Sequence, residues 1–292
     1  MMNAPAYRAH PIRNFFRNEG NRWRRHPASA LLRLLCRLSV LITIFALLAI
    51  VIDLLVKGIP HLTPELFSLK YTTENQSMLP AIINTLLIAL VALLVAIPIG
   101  VGGAIYLAEY AKQGKVVGLI RYAADALASV PSIVMGLFGY ALFVEAMGLG
   151  LSMVSAALAL ALLMLPIVMR TTEEAIRAVP RYIRWGAYGL GATKWQVVSK
   201  IVLPSAFGRI ATGIVLAIGR AIGETAVVLY TMGQAINLPI SPLDSGRPMT
   251  VHLYLLANDG INMNAAYGTA LLLMVIILAF NLFARFLSRK RR

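Results

Sequence analysis

Six stretches of the chain are apolar and long, and short polar or basic segments separate them. They run over about 34–56, 79–107, 117–144, 149–169, 206–230 and 267–286. A helix crossing the hydrocarbon core needs about 20 mainly apolar residues, so each stretch predicts a transmembrane helix. Pro98 and the cluster Gly100, Gly102 and Gly103 fall late in the second stretch, and Pro131-Ser132 breaks the third. Membrane helices tolerate such residues where neighbouring groups satisfy the freed backbone. Residues 57–78 carry Pro60, Pro64, Asn75 and Gln76, and residues 231–265 carry Pro239, Pro242, Gly246 and Pro248. Both read as external loops, the second holding a short interfacial helix at Met249–Ala257. Residues 170–204 form a long polar loop. The fold class is all-α, with six membrane helices and no separate soluble domain.

Charge orients this layout. Of the 27 Lys and Arg, 23 fall in the N-terminal arm, the 2–3 and 4–5 connections and the C-terminus, against 3 in the external loops. The positive-inside rule then places both termini in the cytoplasm. The same distribution accounts for the net charge of +15 without a nucleic-acid partner. Only 13% of residues are charged, against about 25% in soluble domains. Cys36 is the only cysteine and the four histidines are scattered, so no disulfide or metal cluster is expected. The predicted organisation is a basic cytoplasmic arm at 1–30, a first helix and external loop at 31–78, a five-helix core at 79–288 and a basic tail at 289–292. The first stretch is too long for the apolar part of a cleavable signal.

No phosphate-cradling G-x4-G-K-[ST] loop occurs, since Gly114-Lys115 is followed by Val116. The chain is therefore not expected to hydrolyse ATP. Arg220 and Glu224 stand in the fifth stretch at i and i+4, which would place them on one helix face. Charges at membrane depth must pair or meet water. Two readings follow: an anion pathway, in which a guanidinium grips an oxyanion through two hydrogen bonds, or a self-satisfied ion pair that locks helix packing. Gly213, Ala217 and Ala221 form a small-residue stripe suited to close helix contact. Arg170 follows the fourth stretch directly, and Asp125 could pair with Arg121 one turn before it.

Within the polar loop, WGAYGLGATKWQVVSKIVLP (185–204) resembles the cytoplasmic loop of ABC-importer permeases, whose pattern is E-A-A-x3-G-x9-I-x-L-P. Ala187, Gly191, Ile201, Leu203 and Pro204 keep the register; Gly186 replaces the first Ala and Trp185 the Glu. NTLLIALVALLVAIPIGVGGAIYLAEY (84–110), PSIVMGLFGY (131–140), MRTTEEAIRAVP (169–180) and GRAIGETA (219–226) are similar to phosphate-specific permeases of the PstA type. The resemblance implies a type I importer permease of the bacterial inner membrane. Its implied partners are a sister permease of the PstC type, an ATPase dimer of the PstB type that holds ATP and Mg, and a periplasmic phosphate-binding protein of the PstS type. It further implies that Arg220, Glu224 and Arg170 line the substrate pathway. Residues 185–187, 191, 201, 203 and 204 would couple to the ATPase. A permease for sulfate, molybdate or phosphonate, the sister phosphate permease, and an uncoupled channel or scaffold are the alternatives.

Overall fold

The computed structural model describes residues 27–72, 75–236, 238–258, 260 and 262–289. Residues 1–26 of the basic arm and 290–292 of the tail thus lie outside the described residues. Those described form helices and connecting turns, without strands. Two compact units divide at Val56.

The first unit holds most of α1 (Pro27–Gly58). Its apolar side chains are largely exposed, as lipid requires. Its polar side chains turn to their own backbone: Ser39 Oγ donates to the Leu35 carbonyl and Thr43 Oγ1 to that of Ser39. Those bonds satisfy the hydroxyls without water.

The second unit begins with two 3-10 turns, Ile59–His61 and Pro64–Phe67. Helix α2 (Leu79–Ile105) follows and widens into a π-helical turn, Tyr106–Tyr110. Next come α3 (Lys115–Ser129), α4 (Ser132–Gly139) with a π-helical extension to Ala146, and α5 (Met153–Arg177). The long polar loop contains α6 (Arg181–Gly189) and α7 (Lys194–Val197). A π-helical turn, Val198–Val202, runs on into α8 (Leu203–Ile222). The chain closes with α9 (Ala226–Met232), α10 (Met249–Asn258) and α11 (Met263–Arg289).

Helix α5 is the axle of this unit. Two-thirds of its apolar window is buried, the largest share of any spanning candidate. Alanines at 156, 157, 159 and 161 let α2, α4, α8 and α9 come close on several sides. A Cβ on Gly100 of α2 would sit 2.9 Å from Val168 Cγ1. A Cβ on Gly213 of α8 would collide with the Thr171 side chain. The predicted stripe Gly213, Ala217 and Ala221 is buried along α8, so it is a packing face.

Five helices are long and apolar enough to cross a membrane among the described residues, and six if the bent pair α3–α4 counts as one. Four expectations change in shape. The third stretch is not one rod, because its halves meet at 103°. Pro131 pushes Val130 into extended backbone (ψ 132°), which ends α3. The fourth stretch does not stop at Met169 but continues as helix to Arg177, its charged end held by ion pairs. The fifth breaks at residues 223–225, between α8 and α9. Finally, α10 packs into the protein rather than lying exposed: Met249, Val251, His252, Leu255 and Leu256 are buried. Its first N–H is capped by the Thr85 hydroxyl at 2.9 Å, tying it to α2.

Candidate functional site

The loop motif folds into a helix, a tight turn and a second helix. Pro180, extended, precedes α6 as its cap residue. Gly191 closes the turn with φ +81°, a left-handed backbone that favours glycine. Thr193 then starts α7 with a capping box: its N–H donates to Gln196 Oε1 (2.8 Å), and its Oγ1 accepts from the Gln196 N–H. Of the motif residues, Ala187 is buried against Ile176, Val179, Val197 and Val202, while Ile201 and Leu203 pack around the same cluster. Pro204 sits in the first turn of α8 and is exposed. Trp185 is 67% exposed, Leu190 90% and Trp195 67%, and Gly186 is exposed among them. The motif therefore divides into an inner anchoring face and an outer, uncovered aromatic face. Burying aromatics of this kind is a common source of interface energy.

Sequence reasoning missed what holds this helix pair. Arg184 of α6 reaches Glu109 Oε1 through Nε (3.2 Å) and Nη2 (2.9 Å). It also donates to the carbonyls of Ile176 (2.8 Å) and Val179, at the end of α5. Only 13% of the Arg184 side chain and 10% of the Glu109 side chain is exposed. One guanidinium thus fastens α6 to the π-helical end of α2 and caps α5. Beside it, Glu173 of α5 bridges Arg121 of α3 and Arg177, both at 2.8 Å. Gln113 Oε1 accepts from Arg121 at 3.0 Å. The available signal was the spacing of Arg170, Glu173, Glu174 and Arg177, which repeats at i, i+3, i+4 and i+7 and marks one charged helix stripe.

The pathway candidates are arranged differently from the expectation. Glu224 does not share a helix with Arg220. Helix α8 ends at Ile222, Gly223 is its cap residue, and no ion pair joins Arg220 to Glu224 among the described residues. Two causes act at this break. Glycine disfavours helix by about 1 kcal/mol relative to alanine. The freed Glu224 carbonyl is also taken by Thr250 Oγ1 of α10 at 2.8 Å. Arg220 is exposed and Glu224 half-buried. Arg170 does hold carboxylates, Asp125 of α3 at 2.8 Å and Glu174 at 3.1 Å. Asp125 therefore pairs with Arg170, and Arg121 with Glu173, correcting the expected Arg121–Asp125 pair. No hydrogen bond or ion pair links Arg170 to Arg220 or Glu224 among the described residues. Asn84, beside Thr85 in α2, is fully buried, and its Nδ2 donates weakly to the Arg247 carbonyl at 3.4 Å.

Residues 97–292 match the family described as binding-protein-dependent transport system inner membrane component. The phosphate transport system permease protein PstA of Haemophilus influenzae is 35% identical over 263 residues, 87% of this chain and 92% of that protein. A probable ABC transporter permease protein of Bacillus subtilis, YqgI, is 36% identical over 244 residues, 76% of this chain and 83% of the relative. Among solved structures, the bacterial alginate ABC transporter, in complex with an alginate pentasaccharide-bound periplasmic protein, has a similar fold. Its TM-score is 0.66 at 17% identity, with 92% of this chain and 97% of that chain covered.

Proposed function

Because this chain belongs to the binding-protein-dependent transport system inner membrane components, as a multi-pass ABC-importer permease, we propose that its cargo is inorganic phosphate. The observation that carries this reading is the 34–35% identity to PstA proteins along nearly the whole chain, 94% of it for the Yersinia pestis protein. The permease forms the translocation path with a sister permease. A phosphate-binding protein delivers to it from the periplasm, and a separate ATPase dimer binds and hydrolyses ATP with Mg. Uptake of radiolabelled phosphate, by vesicles carrying the full complex, tests the cargo. Competition by excess sulfate, molybdate or phosphonate should leave uptake unchanged. Uptake inhibited by one of these as strongly as by unlabelled phosphate would reassign the substrate.

The outer face of α6 and α7 is the ATPase-docking surface in this reading. Trp185→Ala should then reduce the amount of ATPase that purifies with the permease by about tenfold, the scale of one interface aromatic. Gly191→Val should do the same by straining the φ +81° turn rather than by removing contact. ATPase recovery equal to wild type for Trp185→Ala would mean that this ring faces lipid headgroups.

Both termini are cytoplasmic in the same reading, with residues 231–265 outside. The exposures choose the probes. In a Cys36→Ser background, cysteine at Ile240, 99% exposed, should react with an impermeant thiol reagent added to intact cells. Cysteine at Leu190, 90% exposed, should react only after lysis. The opposite pattern would invert the orientation.

A further inference from the structure

A cavity of about 530 Å³ opens beside the outer face of α6 and α7. Four cations line it, Arg177, Arg181, Arg184 and Lys194, with Glu109 as the sole carboxylate. Two of these cations are committed: Arg177 to Glu173 and Arg184 to Glu109. The other two have no carboxylate partner among the described residues. Arg181 stands exposed at the start of α6. Lys194 begins α7, its ammonium 5.0 Å from the centre of the Tyr110 ring. Trp185 and Tyr188 form the aromatic part of the wall.

We propose that this cavity receives an acidic side chain, an Asp or Glu carried by the ATPase subunit. The inference rests on the reading that α6 and α7 dock that subunit, and adds which chemistry the subunit must present. Two cations without a carboxylate partner among the described residues line one concave space, so an incoming carboxylate has an Arg fork and a Lys ammonium on offer there. Trp185 and Tyr188 are exposed on this wall, so a docked subunit would cover them and exclude water from the contact, which strengthens the attraction relative to an open surface. Arg184 is held back from the ligand, because Glu109 and two helix-end carbonyls take four of its five guanidinium hydrogens. A lone aromatic face would bind any apolar groove. The paired cations make the surface selective for an acidic one, because a basic partner would be repelled.

A water-soluble carbodiimide tests this directly: it activates the carboxylate, the neutral lysine amine in contact attacks to form an amide, and the reagent leaves as its urea, adding no spacer. The full complex, purified with its ATPase, is treated and digested. Mass spectrometry should find Lys194 joined to an Asp or Glu of the ATPase, and the link should vanish in Lys194→Arg, whose guanidinium does not couple. Separately, the double variant Arg181→Glu with Lys194→Glu should retain about tenfold less ATPase at low salt, with the deficit narrowing as salt screens the repulsion. ATPase present but Lys194 joined only to Glu109, or ATPase retention by the double variant equal to wild type, would overturn the acidic contact while leaving docking intact. Loss of bound anionic lipid in place of ATPase would assign the cavity to a headgroup and also overturn it. A wild-type complex that retains no ATPase at any salt would remove the docking reading itself.

Discussion

In the phosphate-permease reading, Arg220→Gln is expected to lower uptake by about 100-fold, with the yield of assembled complex close to wild type. The expectation rests on what Arg220 does not do within its own chain. It is exposed in the last turn of α8 and has no carboxylate partner among the described residues. Removing it therefore strands no buried partner, which is the usual reason that losing one member of an ion pair destabilises a protein. An unpaired guanidinium at membrane depth is retained only where it meets water or ligand. Two charge-assisted hydrogen bonds to a passing phosphate, at about 1.5 kcal/mol each, correspond to roughly 100-fold in rate if they form at the rate-limiting barrier. Arg220→Lys keeps the charge but loses the fork, so an intermediate defect of about tenfold is expected. Uptake of radiolabelled phosphate, normalised to complex recovered by size exclusion, reads both quantities. Wild-type uptake by an Arg220→Leu, Glu224→Leu double variant would end the pathway role of both residues.

The second large effect is expected of Arg184→Ala, on stability and ATPase retention together. The Arg184–Glu109 pair is largely enclosed, and breaking such a pair from one side costs about 3–5 kcal/mol because the remaining charge stays desolvated. The Ile176 and Val179 carbonyls lose their donor in the same step. We expect a lower unfolding temperature for the detergent-solubilised permease and loss of ATPase from it, since α6 is no longer fastened to α2. Glu109→Gln is milder. It removes the negative charge but leaves an amide oxygen that can still accept from the guanidinium, and Arg184 keeps its two carbonyls. Thermal unfolding of the two variants side by side checks the order. An Arg184→Ala protein that melts with wild type would show that the clamp carries no stability.

These outcomes trace to different levels of the molecule. The apolar stretches were legible in the sequence because spanning length and hydropathy are local properties: about 20 apolar residues must be solvated by lipid wherever they fold. The turn at Gly191 and the cap at Thr193 are equally local features of the folded loop, but of this stretch only the register of Ala187, Gly191, Ile201, Leu203 and Pro204 was read from the sequence. What no local rule contains is the partner of each charge. Glu224 would have faced Arg220 had α8 continued. It does not: the helix ends at its cap residue Gly223, and the Glu224 carbonyl instead accepts from the hydroxyl of Thr250, 26 residues further along. Asp125 meets Arg170, and Arg121 meets Glu173, because α3 lies along α5 after a 103° bend at Pro131. Arg184 finds Glu109 across 75 residues of chain. A side chain's charge is set by its own chemistry, but its electrostatic partner is set by whichever helix the packing of small residues brings alongside, and only the tertiary structure decides that.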